Sequence, residues 1–154
     1  MSFSEVMKEK NIVLPPANAP GGIYSQIYRD GTTVYVSGQT AKLNGVLQYK
    51  GKVGRDVSEE DGYQAAELCA KNALAQIEAY AGGIDRIDSV IKLVGYVNCI
   101  PEFTRQANVM NGASQIISDI FGECGLTVRS AVGVASLPGD SSVEVELIVK
   151  MKEV

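Results

Sequence analysis

The most regular pattern of hydrophobic and polar positions lies near the C-terminus, over Val143–Met151. Apolar side chains alternate there with more polar ones, so one face carries Val143, Val145, Leu147, Val149 and Met151, and the other carries Glu144, Glu146, Ile148 and Lys150. A period of two residues is typical of a β-strand with one buried face. Two further segments rich in Val and Ile, Ile87–Asn98 and Val128–Ala135, also predict strands, the first of them largely buried.

A different period indicates a long helix in the middle of the chain, over Tyr63–Tyr80. Its small and apolar residues recur at helical spacing, at Ala66, Cys69, Ala70, Ala73, Leu74 and Ile77. Ser58, with Asp61 three residues later, marks the start of a helix, and Gly82-Gly83 predicts its end.

Two other helices are predicted. Ser2 and Glu5 fit a capping box at the start of a short amphipathic helix over Phe3–Lys10. The second main helix is expected over Phe103–Phe121, where Gly122 closes it.

Shorter strands are predicted in the first third of the chain. Ile23–Arg29 and Thr33–Val36 are strand-like and are separated by Asp30-Gly31, a hairpin turn signal. Val46–Tyr49 is expected to form one more short strand. Near the C-terminus, Pro138-Gly139-Asp140 predicts a turn.

This order of elements predicts an α+β fold in a single domain that spans residues 1–154. A strand–helix–strand pair inside a mostly antiparallel sheet predicts two main helices packed on one sheet face. The other face also has apolar content, and burying it against sister subunits in a closed ring would cover it.

Composition narrows the possible partners and the compartment. Apolar residues make up 45% of the chain and charged residues 21%, which is typical of a globular domain. No apolar run approaches the roughly 20 residues of a membrane helix, and no secretion signal is recognisable, so the cytoplasm is expected. The net charge of −4 and the scattered basic residues argue against nucleic acid as a partner.

The chain contains no histidine, which excludes Ser-His-Asp triads, Cys-His dyads and histidine-ligated metals. The three cysteines, Cys69, Cys99 and Cys124, match neither a disulfide framework nor a zinc site. Each sits in an apolar context and is expected to be a small buried side chain. No metal site is therefore expected.

Several motifs resemble those of one family. The segment Arg129–Pro138 (RSAVGVASLP), followed by Val143–Glu146 (VEVE), is similar to the signature of the RidA/YjgF family of reactive imine and enamine deaminases, some of which carry the name endoribonuclease L-PSP. The segments YVSGQ (35–39), LPP (14–16) and GGIY (21–24) extend the resemblance over nearly the whole chain. GAS (112–114) and Phe121-Gly122 are similar to the second helix of the long-form YjgF-like branch.

The resemblance implies a chorismate-mutase-like α+β homotrimer with three clefts between subunits. It also implies cofactor-independent hydrolysis of enamine or imine acids, such as 2-aminoacrylate, to 2-keto acids and ammonia. By position, Arg129 would bind the substrate carboxylate and Glu144 would position water. The remaining implied pocket residues are Tyr24, Gly38, Asn111 and Ala131.

Other interpretations remain open without the resemblance. An arginine in a strand usually forms a surface salt bridge, a strand glutamate is usually solvated, and Asn111-Gly112 is by itself a turn signal. As a function, a non-catalytic trimer that binds metabolites or proteins is the main alternative. Endoribonuclease activity is less favoured because of the acidic charge, and chorismate-mutase chemistry would rest on analogy of fold alone.

Overall fold

The computed structural model describes residues 1–154 and contains three α-helices and seven strands. The helices are α1 (Phe3–Glu9), α2 (Glu59–Ala81) and α3 (Gln106–Phe121). The strands are β1 (Ile27–Asp30), β2 (Thr33–Thr40), β3 (Lys42–Leu43), β4 (Val46–Leu47), β5 (Ile87–Asn98), β6 (Val128–Val134) and β7 (Val143–Met151). Short 3₁₀ turns cover Ile84–Arg86, Gly122–Gly125 and Pro138–Asp140.

Five strands form the main sheet, in the order β1-β2-β7-β5-β6. β5 and β6 are parallel and are connected through α3, whereas every other neighbouring pair is antiparallel. β3 and β4 form a separate two-stranded hairpin. The predicted α+β fold, with one strand–helix–strand pair in a mostly antiparallel sheet, is confirmed.

One face of the sheet packs against α2 and α3 and forms the core. The alternation predicted for Val143–Met151 is confirmed, because Val143, Val145, Leu147, Val149 and Met151 are all buried. Small residues let α2 approach the sheet closely. Gly112 allows an equally close contact between α3 and α2, because a Cβ on Gly112 would overlap the carbonyl oxygen of Tyr63 on α2.

The other face of the sheet is not covered within the chain. Tyr28 and Tyr35 lie on neighbouring strands of this open face, and Val128 and Val132 lie on it at the far edge. All four side chains are more than 40% exposed. The sequence analysis predicts that sister subunits cover this face, and this stays a prediction.

The ends of several elements differ from the prediction. The strand expected over Ile23–Arg29 begins at Ile27, because Gly21, Gly22 and Tyr24 form a tight loop in which the Gly21 N–H donates to Oη of Tyr24. The strand expected over Val46–Tyr49 ends at Leu47, since Tyr49 has a positive φ of 54°.

Differences of the same kind occur at the helices. The second main helix begins at Gln106 rather than Phe103, whose buried side chain belongs to the preceding turn. The first begins at Glu59, directly after the predicted cap residue Ser58. Asn111-Gly112 is not a turn, because both residues lie inside α3.

Cys69 and Cys99 are buried as expected, but the prediction for Cys124 is wrong: it lies exposed in the 3₁₀ turn after α3.

Candidate active site

A cavity of about 610 Å³ opens beside the end of β2. Its walls come from the loop before β1, the β3–β4 hairpin, and the turn around Pro138 and Gly139. Three residues that the sequence predicted for the site, Tyr24, Gly38 and Glu144, line this cavity together. Polar side chains in its other walls are those of Asn18, Gln26, Ser37, Gln39, Thr40 and Lys42.

Gly38 and Glu144 contact one another so closely that no side chain fits between them. A Cβ built on Gly38 would lie 2.5 Å from Oε1 and 2.9 Å from Cδ of Glu144. The register between β2 and β7 shifts between Val36 and Gln39, so Gly38 lies within an irregularity of the sheet. Such irregularities are common next to active sites, where they redirect the chain, and this one brings the backbone of Gly38 against the carboxylate.

The Glu144 carboxylate has no hydrogen-bond or ion-pair partner within the chain. Partial burial raises its pKa above the usual value, and the nearby charge of Glu146 raises the pKa further. Glu146 itself accepts a hydrogen bond of 3.0 Å from the Tyr96 hydroxyl group. Glu144 is therefore a desolvated carboxylate that can engage a water molecule or a ligand in the cavity.

Two buried amides on α2 hold the walls of the cavity in place. Nδ2 of Asn72 donates to the carbonyl oxygens of Thr40 and Lys42, at 2.9 and 2.8 Å, and so fixes the base of the β3–β4 hairpin. One helical turn later, Nε2 of Gln76 donates to the carbonyl oxygen of Asn18 in the opposite wall, at 2.6 Å. Spacing of four residues places both amides on one helix face.

Arg129 forms a second group with α3. Its Nη1 donates to Oδ1 of Asn111 at 2.8 Å and to Oγ of Ser114 at 3.1 Å. Both partners are neutral, and no carboxylate forms an ion pair with Arg129. A guanidinium carries five N–H donors, so Nε and Nη2 remain available for an anion. Ala131 lies two residues further along β6, on the same strand face and partly buried.

These two groups of predicted site residues are not brought together within one chain. Arg129, Leu93 and Leu147 are aligned across β6, β5 and β7, so Arg129 lies on the face that packs against the helices. Glu144 is an odd number of residues from Leu147 and therefore points from the opposite face. β5 also separates their strands.

Some residues of these two groups were not singled out from the sequence. Ser114 could have been found, because it lies three residues after Asn111 and hence on the same face of α3. Lys42, which lines the cavity, has no recognisable local signal. Asn72 and Gln76 could have been noticed as amides that interrupt the apolar face of the long helix.

No three acidic, cysteine or histidine side chains lie close enough together to hold a metal ion. None of the helices is both long enough and apolar enough to cross a bilayer.

Comparison with known proteins agrees with the fold and with the motifs. Residues 6–151 match the family model described as "YjgF/chorismate_mutase-like, putative endoribonuclease". Protein TCP17 of Trypanosoma cruzi is 38% identical over 146 residues, which cover 94% of this chain and 91% of that protein. The 2-iminobutanoate/2-iminopropanoate deaminase of Dermatophagoides farinae is 32% identical over 144 residues, covering 93% and 98% respectively.

A solved structure is similar over almost the full length. It is that of Atu1372 from Agrobacterium tumefaciens, a protein of unknown function, which superposes with a TM-score of 0.89 at 42% identity. The match covers 97% of this chain and 92% of that one. The fold therefore defines a YjgF/chorismate-mutase-like α+β protein. The chain belongs to the RidA/YjgF family.

Proposed function

We propose that this protein is a cofactor-independent deaminase that hydrolyses small 2-imino and enamine acids to 2-keto acids and ammonia, at sites shared between subunits of a homotrimer. The observation that carries the proposal is the unpartnered, partly buried carboxylate of Glu144 in the cavity beside the end of β2. The deaminase of Dermatophagoides farinae supports the same reaction class by similarity.

The second requirement of the reaction is a cation that holds the substrate carboxylate. Arg129 suits this role because its planar guanidinium stays charged at any working pH and is oriented by neutral acceptors of α3. β6 is an edge strand of the sheet, so in a trimer Arg129 of one subunit would approach the cavity of its neighbour. Asn111 and Ser114 would act as positioning residues, and Ala131 would leave space beside the substrate.

The chemistry needs no nucleophilic side chain. An enamine acid first gains a proton from water at its terminal carbon and becomes a protonated imine. A protonated imine is electrophilic at carbon, and Glu144 would orient a water molecule towards that carbon and accept one of its protons as the C–O bond forms. The resulting carbinolamine would then receive that proton on nitrogen. Ammonia leaves as the C–N bond breaks, and Glu144, again a carboxylate, accepts the hydroxyl proton to give the keto acid. A carboxylate acting in this way typically contributes about a hundredfold or more to the rate.

The activity test measures keto-acid release from freshly generated 2-aminoacrylate and 2-iminobutanoate, relative to spontaneous hydrolysis. Acceleration that is lost in Arg129→Ala but retained in Arg86→Ala would support the proposal, because Arg86 is exposed and makes no side-chain hydrogen bond or ion pair. A folded protein that binds 2-keto acids without accelerating any of these reactions would instead support a non-catalytic binding module.

Shared sites can be tested by complementation. Arg129→Ala and Glu144→Gln are each expected to be inactive, but a mixed trimer combines an intact Arg129 from one chain with an intact Glu144 from another. If subunits assort at random, about a quarter of the sites in an equal mixture would be intact. Co-expressed variants that show no recovery at all, although they form mixed trimers, would contradict a site between subunits.

A further inference from the structure

Lys42 is the one basic residue that lines the cavity, and Glu144 is the one acidic residue. No carboxylate of the chain forms an ion pair with Lys42, and its ammonium group makes no hydrogen bond. The backbone of Lys42 is nevertheless fixed, because Asn72 donates to its carbonyl oxygen at 2.8 Å. The cavity wall thus carries a cation that has no partner within the chain, on a backbone that is held in place.

The hairpin register indicates where the Lys42 side chain points. Lys42 is paired with Leu47 across β3 and β4, so the two side chains leave the same face of the hairpin. Leu47 reaches across towards the turn after β6, since a Cβ built on Gly139 would lie 3.9 Å from its Cδ2 atom. Gly139 and Leu47 both line the cavity, and the shared face of the hairpin therefore borders it.

The charged groups of the cavity argue against a purely aliphatic ligand. Lys42 adds a cation to the wall that Glu144 also lines, and Gln26, Ser37 and Thr40 add polar groups beside them. A substrate that contacts both Glu144 and Lys42 needs an anionic group away from its reacting carbon.

We propose that Lys42 binds a second, distal carboxylate of the substrate, so that the preferred substrates are 2-imino dicarboxylates of four or five carbons. This inference rests on the proposed deaminase function. Arg129 of the neighbouring subunit would take the carboxylate next to the imine, Glu144 would position water at the imine carbon, and Lys42 would take the far carboxylate. A single ammonium suits a carboxylate better than a phosphate, which usually also needs backbone N–H donors or several cations.

The decisive experiment compares kcat/KM for a four- and a five-carbon 2-imino dicarboxylate with kcat/KM for 2-iminobutanoate, in the wild type and in Lys42→Met. We expect Lys42→Met to lower the dicarboxylate values about tenfold or more, mainly through KM, and to change the value for 2-iminobutanoate less than about twofold. Lys50→Met is the matched control, because Lys50 is exposed, lies in the same segment and does not line the cavity.

Each outcome separates this inference from the proposed function. Equal losses on both substrate classes in Lys42→Met, or no loss on either, would overturn the role of Lys42 while the deaminase function stands. If the wild type hydrolyses no imine, the proposed function fails, and calorimetric binding of a five-carbon 2-oxo dicarboxylate to the wild type and to Lys42→Met then decides on Lys42. Binding that is equally tight in both proteins, or absent in both, would overturn the inference.

Discussion

A Cβ built on Gly38 would lie 2.5 Å from Oε1 of Glu144, closer than non-bonded atoms approach. The carboxylate position therefore depends on the absence of a side chain at residue 38. The clash involves the far end of a flexible side chain, so the carboxylate, rather than the fold, would move if residue 38 became larger.

Gly38→Ala is accordingly expected to damage activity much more than stability. A displacement of about 1 Å at a reacting group can cost about a hundredfold in rate, and we expect a loss of that order in kcat. The free energy of unfolding should fall by about 1 kcal/mol or less. Steady-state kinetics and urea denaturation measure the two effects.

A double-mutant cycle identifies the cause of that loss. If Gly38→Ala acts by displacing Glu144, then Glu144→Gln should have little further effect in the Gly38→Ala background, although it is severe in the wild type. Additive losses would show that alanine at residue 38 acts on something other than the carboxylate.

The pH profile should report the raised pKa of Glu144. The carboxylate must be ionised to accept a proton from water, so activity should fall as the pH decreases through its pKa. Burial and the charge of Glu146 place that pKa above the usual 4.5, and the acid limb of kcat/KM should lie correspondingly above pH 4.5.

Glu146→Gln tests whether the charge of Glu146 contributes to the raised pKa of Glu144. It removes the neighbouring charge but keeps an oxygen that can accept the hydrogen bond from Tyr96. The pKa of Glu144 should then fall, and the acid limb of kcat/KM should shift to lower pH. If the acid limb of kcat/KM does not move in Glu146→Gln, and if the residual activity of Glu144→Gln shows the same limb, the titrating group is not Glu144.

The neutral partners of Arg129 offer a test of the substrate clamp. Asn111→Asp is nearly isosteric, but it places a carboxylate where Oδ1 now accepts a bond of 2.8 Å from the guanidinium. That charge would compete with the substrate carboxylate, so KM should rise about tenfold or more while thermal stability is maintained. Ser114→Ala, which removes a weaker and uncharged partner at 3.1 Å, should raise KM by less than Asn111→Asp. The reverse order of KM values would contradict a clamp based on charge.

The sequence predicts the sheet and the helices well where a period repeats over many residues. Ile87–Asn98 and Val143–Met151 begin and end as predicted, because alternation and β-branched residues act over the whole strand. The cavity walls were predicted less well. Ile23 and Tyr24 have strand-like side chains, but the preceding glycines and a bond from the Gly21 N–H to Tyr24 stabilise a loop instead.

The candidate site, too, was predicted only as far as local sequence patterns reach. Motifs along single strands place Arg129 and Glu144, but no local pattern reveals that their side chains leave opposite faces of the sheet. That relationship follows from the register across β5, which joins residues far apart in the chain. Lys42 enters the cavity wall only because Asn72 and the β3–β4 hairpin position it.

Asn72 links the core to the cavity and yields the last prediction. Its Nδ2 satisfies two carbonyl oxygens at the base of the hairpin, those of Thr40 and Lys42. Asn72→Leu would remove this donor from both, and a buried carbonyl group left unsatisfied costs about 1–3 kcal/mol. Some of this cost would be offset because Oδ1 of Asn72 is itself buried and unpaired.

Gln76→Leu is the appropriate comparison for Asn72→Leu. It removes the bond to the Asn18 carbonyl oxygen, but Gln26 still donates to that oxygen at 3.3 Å. Asn72→Leu should therefore lower the free energy of unfolding more than Gln76→Leu does. It should also speed hydrogen exchange at the Gln48 amide, which donates to the Ala41 carbonyl oxygen within the hairpin. If exchange at Gln48 were unchanged while global stability fell, Asn72 would support the core alone, and the hairpin would be held by its own turn.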